Sequence, residues 1–196
     1  MARYLGLLPH LWRSPVSDAV VAMVQPRPGE RVVDLGAGMG AATFIAADTG
    51  AEVIAVDPTP FMRRILALRR WVHPRRAHVT VLDGAAEALP LDAQSVDALW
   101  TVNTVHHWTD VASALRELGR VLRPGGRLVL VDEDMAAPAH PFYERMKKHR
   151  GAHRLQFDEV DPQAVGALLK EHGFVDVEAR LGHVGGRPAK LMTAKR

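Results

Sequence analysis

Residues 31–40 read RVVDLGAGMG, an apolar run followed by three glycines in five positions. The run Arg31–Leu35 is short, rich in valine and almost continuous, which is typical of a strand buried on both faces of a parallel sheet. An alanine-rich segment with helical spacing follows the glycines. In an open parallel sheet, a glycine loop between a strand and a helix binds ligands where the winding of the sheet reverses.

The alternation of strand-like and helix-like segments continues along the chain. Strand-like runs recur at 52–56, 78–82, 97–102 and 127–131, and helical spacing at 40–49, 61–72, 111–122 and 161–172. Two further strand-like runs, 175–181 and 190–195, are joined by a glycine-rich connection and not by a helix, which predicts an antiparallel pair at one edge. The sequence therefore predicts a doubly wound, Rossmann-like α/β fold. Its sheet has seven strands, mostly parallel, with an antiparallel last strand and helices on both faces.

Length and composition predict one domain over residues 1–196. With 47% apolar and 24% charged residues, the chain has the balance of an ordinary globular domain. Residues 1–30 are predicted to form an N-terminal helical segment, best developed at 17–25. Residues 135–157 are the least regular internal stretch, and they are a candidate lid over a ligand site or an ordinary surface helix.

Charge and hydropathy restrict the class of partner. No run approaches the roughly 18 apolar residues of a membrane span, and no signal core is present, so we expect a cytoplasmic protein. The absence of cysteine excludes disulfides and a thiolate nucleophile. The formal charge is +3, and arginine pairs at 63–64, 69–70 and 75–76 fall at helical spacing. We interpret them as a solvated helix face, and nucleic acid is disfavoured because no aromatic and basic residues interleave.

The glycine spacing and a nearby acid bear on the kind of ligand. Gly36, Gly38 and Gly40 form GxGxG, whereas a dinucleotide loop favours GxGxxG. Asp34 stands two residues before the first glycine, and its carboxylate disfavours a pyrophosphate but suits a cationic ligand. The electrostatics therefore point away from a nicotinamide dinucleotide.

Five stretches together resemble a known family. VVDLGAGMG at residues 32–40 resembles the first motif of class I S-adenosylmethionine (SAM)-dependent methyltransferases. Likenesses to later motifs follow in the family's order: VDP at 56–58, LDGAAEALP at 82–90, VNTVHHW at 102–108 and RVLRPGGRLVLVD at 120–132. The branch with the greatest likeness is the small-molecule one that includes the methyltransferases of ubiquinone and menaquinone biosynthesis.

The resemblance implies contacts at the methionine end of SAM. Gly36, Gly38 and Gly40 would let the backbone approach this part of the cofactor, and Asp34 would orient it directly or through water. Asn103 matches the residue that presents its backbone carbonyl or its side chain to the same end.

The resemblance also implies contacts for the adenosine half. Asp57 matches the ribose-binding acid, with Pro58 in the turn after it, although a strand-end aspartate before a proline turn can be purely structural. Asp83 matches the acceptor for the adenine amino group, with Gly84 and Ala85 as backbone contacts beside the ring.

Residues that could act in catalysis are less clearly marked. His106 and His107 lie just past the cofactor end of the fourth strand, and imidazole titrates near neutral pH, so they are candidates for a general base or for orienting the acceptor. His107 is favoured. The alternative is that one histidine caps a turn and the other packs in the loop.

Acids and histidines elsewhere do not have metal-ligand spacing, and no metal site is predicted. The residues concerned are Asp132, Glu133, Asp134, His106, His107, His140 and His149. The aromatic residues that flank the predicted site are candidates for acceptor contacts or for core packing: Tyr4, Trp12, Phe142 and Tyr143.

The expected activity is methyl transfer from SAM to a small-molecule acceptor by in-line displacement, leaving S-adenosylhomocysteine (SAH). The alternatives are a non-catalytic SAM-binding subunit of a partner enzyme and, less favoured by the glycine spacing, a nicotinamide-dependent oxidoreductase. A homodimer is compatible with the sequence.

Overall fold

The structure, a computed structural model, describes residues 13–148 and 160–196. Tyr4, Trp12 and His149 lie outside these ranges. So do residues 1–12 of the predicted N-terminal segment and 149–157 of the predicted lid.

The described residues form helices and strands in alternation over most of their length. In chain order these are α1 Pro15–Val24, β1 Arg31–Leu35, α2 Ala41–Asp48, β2 Glu52–Val56, α3 Pro60–Val72, β3 Val79–Leu82, β4 Val96–Val102, α4 Val111–Val121, β5 Leu122–Glu133, α5 Tyr143–Lys148, α6 Pro162–Glu171, β6 Val175–Val184 and β7 Arg187–Lys195. Short 3₁₀ turns lie at Arg76–His78 and Val105–His107.

The seven strands form one sheet in the order β3-β2-β1-β4-β5-β7-β6. Neighbouring strands from β3 to β5 are parallel, whereas β7 runs antiparallel to both β5 and β6. The predicted fold class and the antiparallel pair at one edge are confirmed. The winding reverses between β1 and β4, which places the loop after β1 at the switch point where ligands bind in such sheets.

Alternate side chains of the central strands fill two cores, one on each face of the sheet. Val33 and Leu99 belong to the core under α4 and α6, whereas Val32 and Trp100 belong to the core under α1 and α2. This two-sided burial explains why the strands are continuous apolar runs in the sequence. The sheet is therefore a rigid support for the loops at its carboxyl edge.

Helix starts follow from local capping chemistry. The Ser14 side chain accepts a hydrogen bond from the Val16 N–H, and Pro15 occupies the first position of α1. Asp110 caps α4 by accepting from the Ser113 N–H at 3.0 Å. None of the helices within the described ranges is long and apolar enough to span a bilayer.

The Pro124-Gly125-Gly126 stretch lies within a strand, although proline and glycine are typical of turns. Helix α4 already ends at Val121, and β5 begins at Leu122 and runs through the glycines. The reason is pairing with the C-terminal residue: the Gly125 N–H donates to the Arg196 carbonyl at 2.6 Å, and the Arg196 N–H donates to the Gly126 carbonyl at 2.9 Å.

Helix α3 also departs from expectation, because the prediction of a solvated arginine face is wrong for three of its arginines. The guanidinium of Arg63 donates to the Asp57 carbonyl at 2.8 Å, and those of Arg69 and Arg70 donate to the carbonyls of Met39 and Val79. Long arginine stems let the charged heads reach carbonyls at the ends of neighbouring segments. Four apolar residues of α3 are instead exposed: Phe61, Leu68, Trp71 and Val72.

Candidate functional site

The glycine loop lies between the end of β1 and the start of α2. Gly36, Gly38 and Gly40 all have positive φ angles, of 69°, 53° and 81°. The Gly36 and Ala37 N–H groups donate to the Val56 carbonyl at 2.8 and 3.1 Å, which fixes the loop against the end of β2. The sharp turn thus needs the left-handed conformation that glycine adopts without steric cost.

The three glycines differ in what surrounds them. A Cβ at Gly36 would overlap Thr104, and one at Gly40 would lie 2.8 Å from Phe44 Cε2, so protein packing excludes a side chain at both positions. A Cβ at Gly38 would meet only the Gly36 carbonyl oxygen, at 4.0 Å. Among the three, Gly38 is the glycine that borders open space.

Asp34 lies beneath this loop with 3% of its surface exposed. The Thr43 hydroxyl, from α2, donates to Asp34 Oδ2 at 2.6 Å. Burial raises the pKa of Asp34 to about 7, and the nearby charge of Asp57 adds to the rise, although the Thr43 hydrogen bond opposes it. The carboxyl thus joins β1 to α2 and does not reach the surface of the loop.

Asp57 connects the end of β2 to the glycine loop. Its Oδ2 accepts from the Gly38 N–H at 2.8 Å, and its Oδ1 accepts from the Thr59 N–H at 2.8 Å. The residue is 6% exposed, while Pro58 after it is exposed. Each carboxylate oxygen keeps a second lone pair, so Asp57 can accept further hydrogen bonds beside Gly38.

Asp83, after β3, is paired with an arginine that sequence reasoning did not single out. The Arg63 guanidinium donates from Nη1 to Oδ1 at 2.8 Å and from Nη2 to Oδ2 at 2.9 Å. Arg63 Nη1 also donates to the Asp57 carbonyl. The side chain of Asp83 is 69% exposed and that of Arg63 only 20%, so a shielded arginine holds an accessible carboxylate in a fixed orientation.

The residues after Asp83 are held by packing. A Cβ at Gly84 would lie 2.8 Å from Pro90 Cδ and 2.9 Å from Val56 Cγ1, which requires glycine there. Ala85 pairs with Ala88 in an isolated antiparallel bridge. The loop after β3 therefore folds back tightly against the end of β2.

The side chain of Asn103, after β4, is hydrogen-bonded to Glu133. Asn103 Nδ2 donates to Glu133 Oε1 at 2.8 Å, and the Glu133 N–H donates to Asn103 Oδ1 at 2.7 Å. The Asn103 φ angle is 58°, in the left-handed region that asparagine tolerates better than most residues. Because the side chain is engaged, the backbone carbonyl is the group of Asn103 that can serve a ligand.

Glu133 is the centre of a larger buried network. Its Oε2 lies 2.9 Å from His140 Nε2 and 2.8 Å from Arg187 Nη1, which belongs to β7. The Phe142 N–H donates to His140 Nδ1 at 3.1 Å, so the proton of this imidazole lies on Nε2, facing Glu133. Burial raises the pKa of Glu133, but the hydrogen bonds from Arg187, Asn103 and His140 outweigh it and leave the pKa lowered. The network fastens the segment after β5 to the sheet.

The two adjacent histidines occupy different environments. His106 is buried, and its Nδ1 lies 3.0 Å from Asp132 Oδ2. Asp132 also accepts from the N–H groups of Val105 and His106, at 3.3 and 3.1 Å. His107 is exposed, and its ring packs against that of His106 at an angle of 50°, with centroids 3.9 Å apart. The pair of His106 and Asp132 thus supports the exposed imidazole of His107.

The chain is similar to known methyltransferases. The profile of the family described as a methyltransferase domain matches residues 33–130. The chain belongs to this methyltransferase family. An uncharacterized methyltransferase of Mycobacterium tuberculosis is 47% identical over 106 residues, which are 54% of this chain and 41% of that one. A demethylmenaquinone methyltransferase of Beutenbergia cavernae is 38% identical over 132 residues, 67% of this chain and 50% of that one.

The methyltransferase fold is also found in solved structures. A SAM-dependent methyltransferase from Aquifex aeolicus superposes with a TM-score of 0.70 at 20% identity, over 94% of this chain and 91% of that one. The predicted methyltransferase resemblance is confirmed by the family, and the Rossmann-like methyltransferase fold by the solved structure. The chain spans about half the length of the curated relatives it matches.

The geometry at this edge of the sheet fits a cationic ligand. Gly38 borders open space, and its N–H is joined directly to Asp57, so the loop and the strand-end acid lie side by side. The carboxyl of Asp34 lies close enough to that of Asp57 for the charges to interact. Such a site favours an ammonium or sulfonium group over a pyrophosphate.

Within residues 13–148 and 160–196, no three histidine, aspartate or glutamate side chains group as a metal site. Sequence reasoning missed Arg63, Thr43 and Arg187. Their contacts to Asp83, Asp34 and Glu133 come from separate elements, and nothing in the sequence pairs them. The one signal that could have indicated Arg63 is its place in the first turn of a helix that follows the strand-end acid Asp57.

Proposed function

We propose that the chain binds SAM at the glycine loop and transfers its methyl group to a small-molecule acceptor. The observation that carries this proposal is the junction of Gly38 and Asp57 at the switch point of the sheet, in a chain of the methyltransferase family. The acceptor class rests on the names of relatives, which include demethylmenaquinone methyltransferases.

The residues of the sheet edge divide between the two halves of the cofactor. Gly38 offers open backbone to the methionine part, and the Asn103 carbonyl faces the same part. Asp34 acts on it through the loop, because the carboxyl is buried. Gly36 and Gly40 shape the turn.

The adenosine half of the cofactor binds at the ends of β2 and β3. Asp57 accepts from the ribose hydroxyls, with Pro58 turning the chain away. Asp83 accepts from the adenine amino group, while Gly84 and Ala85 form the backbone wall beside the ring.

The bound cofactor supplies a methyl group activated by a sulfonium leaving group, so the protein's task is chiefly alignment of the acceptor in line with that bond. His107 is the residue that we assign to orienting the acceptor or receiving its proton. The buried pair of His106 and Asp132 holds the His107 ring in place. Phe142 and Tyr143, after the Glu133 network, are the described aromatics assigned to the acceptor side.

The test combines binding with turnover. Calorimetry with SAM, SAH and NAD should show binding of the first two alone; binding of NAD without SAM would overturn the proposal. Labelled SAM is then incubated with demethylmenaquinone and with metabolite extracts. Labelled product is expected, and it should fall by about tenfold or more in His107→Ala. SAM binding without any labelled product would instead support a non-catalytic SAM-binding subunit.

A further inference from the structure

The outward face of α3 carries four exposed apolar side chains. Leu68, Trp71 and Val72 are 69%, 75% and 74% exposed, and Phe61 is 44% exposed. At 100° per residue these side chains fall on one side of the helix, so they form a continuous ridge, here called the α3 ridge. Isolated exposed apolar residues are normal, but a contiguous patch marks a contact surface.

The α3 ridge is not an incidental result of amphipathic packing. The other sides of the helix carry Arg63, Arg69 and Arg70, whose guanidinium groups donate to backbone carbonyls of the domain. Leu66 is the one fully buried side chain of α3. The helix is therefore held to the domain largely by hydrogen bonds, while its larger apolar residues remain outside.

The charges around the ridge select its occupant. Arg64 lies among the ridge residues, and Arg75 and Arg76 are exposed just beyond the end of the helix. Two acids of this region, Asp48 and Glu52, already face His73 and His78 at 3.7 and 2.8 Å. The ridge is thus rimmed by positive charge, and a second copy laid on it would bring like charges together.

We propose that the α3 ridge docks on the surface of an anionic lipid bilayer. Exposed Trp, Phe and Leu side chains with flanking arginines are the composition of helices that lie in the interface plane. The apolar side chains would enter the headgroup boundary, and Arg64, Arg75 and Arg76 would meet lipid phosphates. The proposal does not depend on the proposed catalytic function.

Vesicle co-sedimentation of the full chain tests this. Wild type should bind vesicles of phosphatidylcholine with phosphatidylglycerol, bind phosphatidylcholine alone far less, and lose binding as salt rises. The Leu68→Glu/Trp71→Glu variant should bind the anionic vesicles about tenfold or more weakly. Val175→Glu/Leu181→Glu is the matched control, because these residues of β6 are 56% and 64% exposed at the opposite edge of the sheet. It should bind as wild type does.

Circular dichroism of each variant checks that the fold is retained. Failure of wild type to bind any vesicle overturns the proposal, as does equal loss in both double variants. Sedimentation velocity tests whether a second copy of the chain binds the α3 ridge instead of a bilayer. A wild-type dimer that Leu68→Glu/Trp71→Glu converts to a monomer, without vesicle binding, assigns the ridge to a second copy and also overturns the proposal.

Discussion

Asp34 shows how burial sets the charge of a single side chain. It lies under the glycine loop, accepts one hydrogen bond from Thr43, and has a pKa raised to about 7 by burial and by Asp57. Near neutral pH the carboxyl therefore exists in both protonation states. The charge of Asp57, which adds to the effect of burial on this pKa, also favours a cationic ligand on the loop.

We expect Asp34→Asn to stabilise the protein relative to wild type as pH rises. A raised folded-state pKa means that the folded chain holds a proton which the unfolded chain, with a pKa of about 3.9, has released. The stability that Asp34 contributes is therefore complete below about pH 4 and is lost as pH rises through about 7. The gain of the variant over wild type should grow by roughly 3–5 kcal/mol across that window. Urea denaturation at stepped pH measures it.

Asp92→Asn is the control for this experiment, because Asp92 is exposed. The difference of Asp34→Asn from wild type should change with pH more than that of this control. A difference for Asp34→Asn that does not change with pH would contradict the raised pKa.

Arg63 lies between the acids that we assign to the ribose and to adenine, so its removal should affect recognition of the base. Wild type should bind SAH about tenfold or more tightly than S-inosylhomocysteine, which lacks the adenine amino group. In Arg63→Leu this ratio should approach one, because the exposed carboxylate of Asp83 loses the fork that orients it. Calorimetry with both ligands measures the ratio.

Arg64→Leu serves as the neighbouring control, since Arg64 faces outward, and it should keep the wild-type ratio. If Arg63→Leu lowered the affinities for both ligands equally, Arg63 would support the fold and would not orient the Asp83 carboxylate.

At the scale of elements, strands were easier to predict than the orientation of helices. β1, β2 and β4 are apolar runs buried on both faces, and such runs have few alternatives. The spacing of α3 correctly predicts a helix but not which side faces inward. Its arginines find backbone carbonyls of Asp57, Met39 and Val79, and those partners are fixed only by the tertiary structure.

In the site, too, the positions of residues could be predicted from the sequence, but their hydrogen-bond partners could not. Motif order placed Asp57, Asp83 and Asn103 at neighbouring strand ends, because parallel strands share one carboxyl edge. The partners of these side chains could not be predicted, since Arg63 and Glu133 approach from other elements. The engagement of the Asn103 side chain, which leaves its carbonyl for a ligand, is visible only in three dimensions.

The loop between β1 and α2 should respond differently to alanine at two of its glycines. Gly36→Ala should cost about 3 kcal/mol or more, because the new Cβ overlaps Thr104 and the φ angle is positive. Gly38→Ala should cost only about 1–2 kcal/mol of backbone strain, yet weaken SAH by about tenfold or more, since its Cβ would enter the open space assigned to the cofactor. Denaturation and calorimetry separate the two effects.

Gly36→Ala combined with Thr104→Gly should recover part of the lost stability, because the overlapping methyl group is then absent. Unchanged SAH affinity in Gly38→Ala would place the cofactor away from this loop.

At the scale of the whole molecule, one sheet connects the cofactor edge to both cores. The strands β1, β2 and β4, which are followed by Gly38, Asp57 and Asn103, contribute buried residues to the core on each face. Strand β5 extends both cores toward β7. Local opening of the site therefore exposes residues that the rest of the domain needs. This coupling predicts that the described chain unfolds as a single unit.

Ligand binding should accordingly stabilise the entire domain. SAH at a concentration 100 times its Kd should add about 2.7 kcal/mol to the free energy of unfolding, which for a domain of this size raises Tm by about 5–10 °C. Because both cores share the strands of the site, circular dichroism and tryptophan fluorescence should report one transition that moves as a whole. NAD at the same concentration should leave the transition temperature unchanged. Two transitions, of which SAH moves only one, would mean that the half of the sheet around β7 and β6 folds separately from the half that binds the cofactor.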